Sequence, residues 1–130
     1  MSSAYMRRLV TINICLLLLA ACKKDQVNSV NVRIANSMGF IVDSAFLVYD
    51  ESGYNYGEIA AGDTTGYHLY ESLIDDPAVY FFKNGDQFLA GPILAPPLSA
   101  PTHLANGNYT VKIFPDSSLL GGYNAQFIKE

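Results

Sequence analysis

Two regimes of hydrophobic patterning divide the chain. From Leu9 to Ala21 the residues form an apolar run interrupted only by Thr11 and Asn13, whereas from Val30 onward apolar and polar residues alternate over short spans. Val30, Val32 and Ile34 alternate with Asn31, Arg33 and Ala35, the period of two that sets one side of a strand on a core. Asn36 to Gly39 is turn chemistry. Ile41 to Tyr49 reads as a longer strand ended by Asp50-Glu51-Ser52-Gly53, followed by a strand from Tyr54 to Ile59 and, after Ala61 to Gly66, another from Tyr67 to Glu71. Leu73 to Pro77 is a loop. The strands Ala78 to Lys83 and Gln87 to Leu94 flank Asn84-Gly85-Asp86, a hairpin signal because Asn-Gly accepts the positive φ angles of a tight I′ turn. Ala95 to Pro101 is proline-rich and reads as a crossing loop, since proline brings no donor to a ladder. Asn108 to Phe114 alternates again up to Pro115, and Tyr123 to Ile128 adds an edge strand.

Short strands separated by turn signals roughly every eight to twelve residues, with no helical periodicity, predict an all-β domain. The expected fold is a single antiparallel β-sandwich of about seven strands spanning residues 30–130, after an N-terminal helical signal segment. No internal repeat and no second domain are visible.

The apolar run is too short to cross a bilayer, which takes about 20 apolar residues for roughly 30 Å of hydrocarbon. Arg7 and Arg8 precede it and small residues follow, the layout of a secretory signal over residues 1–21. Leu19-Ala20-Ala21-Cys22 then resembles the lipobox of bacterial lipoproteins. That resemblance implies that Leu19, Ala20 and Ala21 are read by a signal peptidase, that the thiol of Cys22 receives a diacylglyceryl group, and that the chain is cut just before it. The residue types suit the chemistry: small side chains fit a peptidase site, and a thiol is a soft nucleophile. Cys15 leaves with the signal, so the mature chain holds no thiol with which Cys22 could pair. Two or three acyl chains hold a protein more firmly than the marginal binding of one, at ~0.8 kcal/mol per buried methylene. Residues 22–29 form a lipidated tether.

Charge narrows the partners. Without Arg7 and Arg8, six basic residues face twelve acidic ones, a poor balance for nucleic acid, whose affinity comes mostly from neutralised phosphates. Lys23, Lys24 and Asp25 after the cysteine resemble the start of mature lipoproteins of the Bacteroidota type, which implies a cell-envelope location at the outer membrane, on its periplasmic face or at the cell surface.

Two further resemblances concern the fold. Leu104 to Ile113, with Gly107, Tyr109 and Val111, is similar to the closing hairpin of transthyretin-like and immunoglobulin-like sandwiches. This implies that the glycine makes a corner and that the tyrosine packs across it, its hydroxyl tying down a loop. Asn31-Val32-Arg33-Ile34-Ala35-Asn36, Gly57 to Thr64 and Gly107 to Thr110 together resemble small, uncharacterised bacterial lipoproteins, a family that brings no activity to carry over.

Candidate chemistry is sparse. His68 lies in a strand and His103 beside the proline-rich loop, while metal sites need three or four converging ligands, so no metal and no cofactor is expected. Asp75-Asp76 and Asp50-Glu51 read as solvated turn acids rather than calcium ligands. Tyr54 and Tyr56, two apart, share a face of the expected strand and offer a surface for a glycan or a partner protein, whereas Tyr67 and Tyr70 are an odd number apart and face opposite ways. Asp43-Ser44-Ala45 and Asp63-Thr64-Thr65 resemble the O-glycosylation sites of exported Bacteroidota-type proteins, Thr64 being in a turn and Ser44 in a strand. The function expected is a membrane-anchored, non-catalytic binding or accessory module, with an envelope protein or glycan as partner. The alternatives are a glycan-binding surface module through Tyr54 and Tyr56 and a small hydrolase through His68, His103 and loop acids.

Overall fold

The first alternating segment forms strand β1, Val30–Asn36, with Val30, Val32, Ile34 and Asn36 buried and the intervening residues half-buried. The computed structural model describes residues 29–91 and 102–130. The signal segment with Leu19, Ala20, Ala21 and Cys22, the tether up to Asn28 and the proline-rich loop Ala95 to Pro101 lie outside the described residues. Six further strands follow: β2 Ser44–Leu47, β3 His68–Tyr70, β4 Val79–Lys83, β5 Asp86–Ala90, β6 Gly107–Pro115 and β7 Tyr123–Lys129.

These seven strands make two sheets, of order β3-β1-β6-β7 and β2-β4-β5. One core joins them: Val32, Ile34, Val111 and Ile113 from the first sheet cluster with Ala45, Leu47, Val79 and Phe81 from the second. Burying a valine or isoleucine side chain of this kind contributes about 1.5–3 kcal/mol, so period-two alternation on both sheets supplies the main driving force. Phe81 is fully buried and stacks on Phe88 at 5.3 Å, with the Tyr123 ring edge-on at 5.1 Å.

Three expectations need correction. The sheet is not antiparallel throughout, because β1 runs parallel to β6 from Val30↔Gly107 to Asn36↔Ile113. All of β2 to β5 lies between those two strands, so no tight hairpin fixes their relative direction. The strand expected over Tyr54 to Ile59 does not form. Gly57 adopts φ 76°, the Asn55 side chain accepts a bond from the Gly57 N–H at 2.8 Å, and only Ile59 makes a β-bridge, with Val42. The strand expected over Ile41 to Tyr49 shrinks to β2 for the same reason, since its first residues have that bridge as their only neighbour on one side.

The Asn84-Gly85 hairpin forms as expected: φ is 52° and 85° at the two residues, and Lys83 pairs with Asp86 across them. Tyr109 also behaves as the resemblance implies. It packs into the core, and its hydroxyl donates to the Ala105 carbonyl at 2.8 Å, four residues upstream.

At one end of the first sheet two sequence motifs interlock. Asn36, the last residue of β1, is 1 % exposed, and its backbone N–H donates to Asp63 O while its carbonyl accepts from Gly62 N–H. Its side-chain amide donates to the carbonyls of Phe40, Ile59 and Ala60 at 2.9, 2.9 and 3.2 Å, and its side-chain oxygen accepts from Met38 N–H at 2.9 Å. One buried asparagine thus fixes both the turn that follows β1 and the Ile59 to Asp63 segment. Across the central strands of this sheet Arg33 of β1 donates to Thr110 Oγ1 of β6 at 3.0 Å and pairs at 3.2 Å with Glu130, the residue after β7, while Thr110 also bonds Glu130.

Candidate functional site

β3 has only three residues, and this brevity shapes the candidate site. Its ladder partner is β1, through Val30↔Tyr70, Asn31↔Leu69 and Val32↔His68, and it ends the strand order of its sheet. Along its free edge lies an open groove of about 510 Å³. One wall is the stretch from His68 to Ser72; the other is Tyr49 to Ser52, the turn that leaves β2; Ile74 and His103 close one end. Consecutive residues of β3 line this groove, and since neighbouring side chains on a strand point to opposite faces, the groove runs along the edge rather than across a face.

The turn wall is built by Asp50. One of its carboxylate oxygens accepts from the Ser52 N–H and hydroxyl at 2.9 and 2.6 Å, and the other accepts from Tyr54 N–H at 2.9 Å. Burial works to raise the pKa of this carboxyl, but those bonds outweigh it and hold the group below the usual carboxylate range. At the same wall the neighbouring Asp76 carboxylate pushes the Tyr49 hydroxyl above its ordinary range.

His68 is the centre of an aromatic cluster. Tyr54 stacks on it at 3.6 Å, the Tyr70 ring meets it edge-on at 4.8 Å, and Tyr54 and Tyr56 meet edge-on at 4.9 Å. Tyr56 packs against the core and its hydroxyl donates to Val32 O at 3.0 Å. That hydroxyl has a single proton, so the 2.9 Å contact between the two hydroxyls runs from Tyr70 to Tyr56. Burial and the Tyr70 hydroxyl push the ionisation of Tyr56 far above the tyrosine range, and burial pushes Tyr70 up to about 12. Tyr54 and Tyr56 therefore do not form a flat platform: their rings stand 88° apart and His68 covers a face of Tyr54. Tyr67 sits apart from Tyr70, exposed beneath the Arg33 guanidinium at 4.7 Å.

The two histidines expected to be incidental both line the groove. His103 is placed by a bridge with Ile74, flanked by Asp75 N–H to Thr102 O and Leu104 N–H to Leu73 O, and its Nδ1 lies 2.9 Å from Ser72 Oγ. Ser72 had no sequence signal, because its partner is 31 residues away. Asp75 and Asp76 do not line the groove. Among the described residues no group of three or more His, Cys, Asp or Glu is placed to hold a metal ion. The groove walls instead carry Asp50, Glu51 and Glu71 and no lysine or arginine. Away from the groove, Ser44 lies in β2 opposite Phe82, and Thr64 is exposed in its turn, bridged to Ala35.

Comparison of the chain with protein-family models, curated proteins and solved structures finds no match.

Proposed function

We propose that this chain is a lipid-anchored, non-catalytic binding module of a bacterial cell envelope, tethered through Cys22 at the outer membrane. The observation that carries the reading is Leu19-Ala20-Ala21-Cys22 behind a basic and apolar segment, which pairs a peptidase-sized site with the one nucleophile that chemistry needs. The folded part supports a binding role through an open groove whose walls are held by backbone bonds and by Asp50, so that a ligand meets a preformed surface. The two sheets over one core, with the Tyr109 hydroxyl bonded across its corner, support a transthyretin-like or immunoglobulin-like sandwich. The acidic balance argues for protein or glycan partners and against nucleic acid.

Intact mass and acyl radiolabelling of wild type and Cys22→Ala, combined with protease shaving of cells, test the reading. Expected is a lipid adduct that the substitution abolishes; a wild-type chain without lipid overturns the proposal. Digestion by external protease assigns the cell surface, and protection assigns the periplasmic face.

A small hydrolase is the second reading, favoured by the 2.9 Å contact of Ser72 Oγ with His103 Nδ1 in the groove. A serine nucleophile needs a base at this distance, but also a third group to orient the base and donors for an oxyanion. Hydrolysis of p-nitrophenyl acetate that disappears in Ser72→Ala would establish it.

A further inference from the structure

We propose that the groove beside β3 binds an extended, lysine- or arginine-bearing peptide of a partner protein, which adds as a strand to the free edge of β3. The inference rests on the binding-module reading and names the chemistry of its partner.

The argument begins with backbone direction. Along β1 the even-numbered residues turn their N–H and C=O groups toward the β3 side: Ile34 O accepts from Thr65 N–H, and Asn36 bonds Gly62 and Asp63. The odd-numbered residues turn theirs toward β6, as Ser29 O accepting from Gly107 N–H and Ser37 N–H donating to Ile113 O show. Val30 and Val32 are therefore the β1 residues that bond β3, opposite Tyr70 and His68. In an antiparallel ladder bonded and non-bonded pairs alternate. Leu69, opposite Asn31, must then direct both its N–H and its C=O away from β1, into the groove. Among the described residues no strand pairs with that edge.

An outward donor and acceptor on one residue are the minimal docking pair for an added strand. Unpaired edges of this kind are normally blunted by lysine, proline or a covering loop. Here the side chain between them is leucine, 61 % exposed. Charge decides the occupant. Asp50, Glu51 and Glu71 line the groove together with His68 and His103, and no lysine or arginine does, so a peptide carrying positive side chains at alternate positions is favoured and an acidic one is repelled. The net charge of −4 extends the same bias to the whole chain, which disfavours a second copy of itself as the occupant.

The test titrates the purified full chain in detergent with a fluorescein-labelled hexapeptide alternating valine and lysine, read by anisotropy. Saturable binding is expected, with none for the valine–glutamate peptide. Methylation of the backbone nitrogens on the edge-facing side of the valine–lysine peptide should weaken binding at least about tenfold, because it removes ladder bonds and leaves charge intact. Glu51→Gln with Glu71→Gln should weaken it about threefold to tenfold at low salt. Leu69→Pro should weaken it about fivefold by deleting the outward donor, while the donors of His68 and Tyr70 toward β1 remain and the urea midpoint stays in place. Equal binding of the methylated peptide would reduce the interaction to ionic adhesion and overturn the proposal. So would absence of binding, or sedimentation showing that the chain pairs with itself through this edge. A lipidated chain that ignores the peptide refutes this inference alone, and a chain without lipid that binds it refutes only the anchoring.

Discussion

Substitution of Asn36 tests most directly how the fold is held. The residue is 1 % exposed and its side chain makes four hydrogen bonds, three donated to carbonyls and one accepted from Met38 N–H. Those four are not equivalent. Ile59 O also accepts from Val42 N–H and Ala60 O from Asp63 N–H, so both carbonyls keep a partner when the amide is removed. Phe40 O and the N–H of Met38, a residue itself 2 % exposed, have no second bond. Asn36→Leu, of similar volume, would leave these two groups unpaired, at about 1–3 kcal/mol each. The expected loss is thus about 2–6 kcal/mol, a large share of the roughly 5–15 kcal/mol that holds a typical domain together. Asn36→Asp keeps the shape and the bond from Met38, but turns an acceptor toward three carbonyls; it should cost at least as much at neutral pH and recover partly in acid, when the carboxyl regains a proton. Urea unfolding of the full chain, followed by tyrosine fluorescence, reads the effect. With a slope of about 1–3 kcal/mol per molar, the midpoint should fall by roughly 1–3 M for Asn36→Leu. A loss under about 1 kcal/mol would refute the claim that this amide locks the two segments together, because it would mean that both orphaned groups find water at no cost.

Phe81→Ala should cost about 3–5 kcal/mol in the same unfolding assay, since it empties the fully buried centre shared by Phe88 and Tyr123. Gly85→Ala should cost roughly 1–2 kcal/mol, because a side chain is forced into φ 85° with no compensating contact. Stability should also fall in alkali: the unfolded chain loses the Tyr70 proton near pH 10 while the folded chain keeps it to about 12, so the contribution is full below pH 10 and is lost as pH rises toward 12. Urea midpoints at pH 9 and pH 11 should differ in wild type and differ less in Tyr70→Phe. In acid the sign reverses. Bonds from the Ser118 hydroxyl and N–H and from Asn124 hold Asp116 below its usual range, so its contribution is present above pH 3.8 and is lost as pH falls further, and Asp116→Asn should flatten that limb.

What the sequence discloses depends on how local the deciding interaction is. The alternation of β1, the Asn84-Gly85 turn and the Gly107-Asn108-Tyr109 corner are settled within a few residues, and each forms where its pattern predicts. Tyr54 to Ile59 carries a strand-like composition, but Asn55 captures the Gly57 N–H and turns the chain out of register before a partner strand can be met. The parallel pairing of β1 with β6 depends on how the intervening strands fill the second sheet, which no local pattern encodes. The groove is less legible still. Its two histidines are visible as residues, but their placement beside Ser72, Glu51 and Glu71 arises from the bridge between Ile74 and His103, set by tertiary packing. The parity of Tyr67 and Tyr70 is no clue to it, because Tyr67 falls before the first residue of β3 and residues of both parities line the groove.

The two ends of β1 divide the labour of the domain. At Asn36 side-chain and backbone bonds converge, and the chain is locked. At the other end Val30 pairs with Tyr70, so the groove formed by β3, Ser72 and His103 lies on the side where Ser29 leads back toward the tether. Fully extended, the seven residues from Lys23 to Ser29 span roughly 25 Å at about 3.3–3.6 Å each. Under the proposed anchoring at Cys22, the groove is therefore confined to a shell close to the membrane surface. For a partner held in the same membrane, that confinement would raise the effective concentration of its peptide even where a three-residue edge binds weakly. The shortness of β3 fits the proposed anchoring: two backbone bonds and a few charges make a reversible contact, for which a lipid at Cys22 would supply the proximity that the edge lacks.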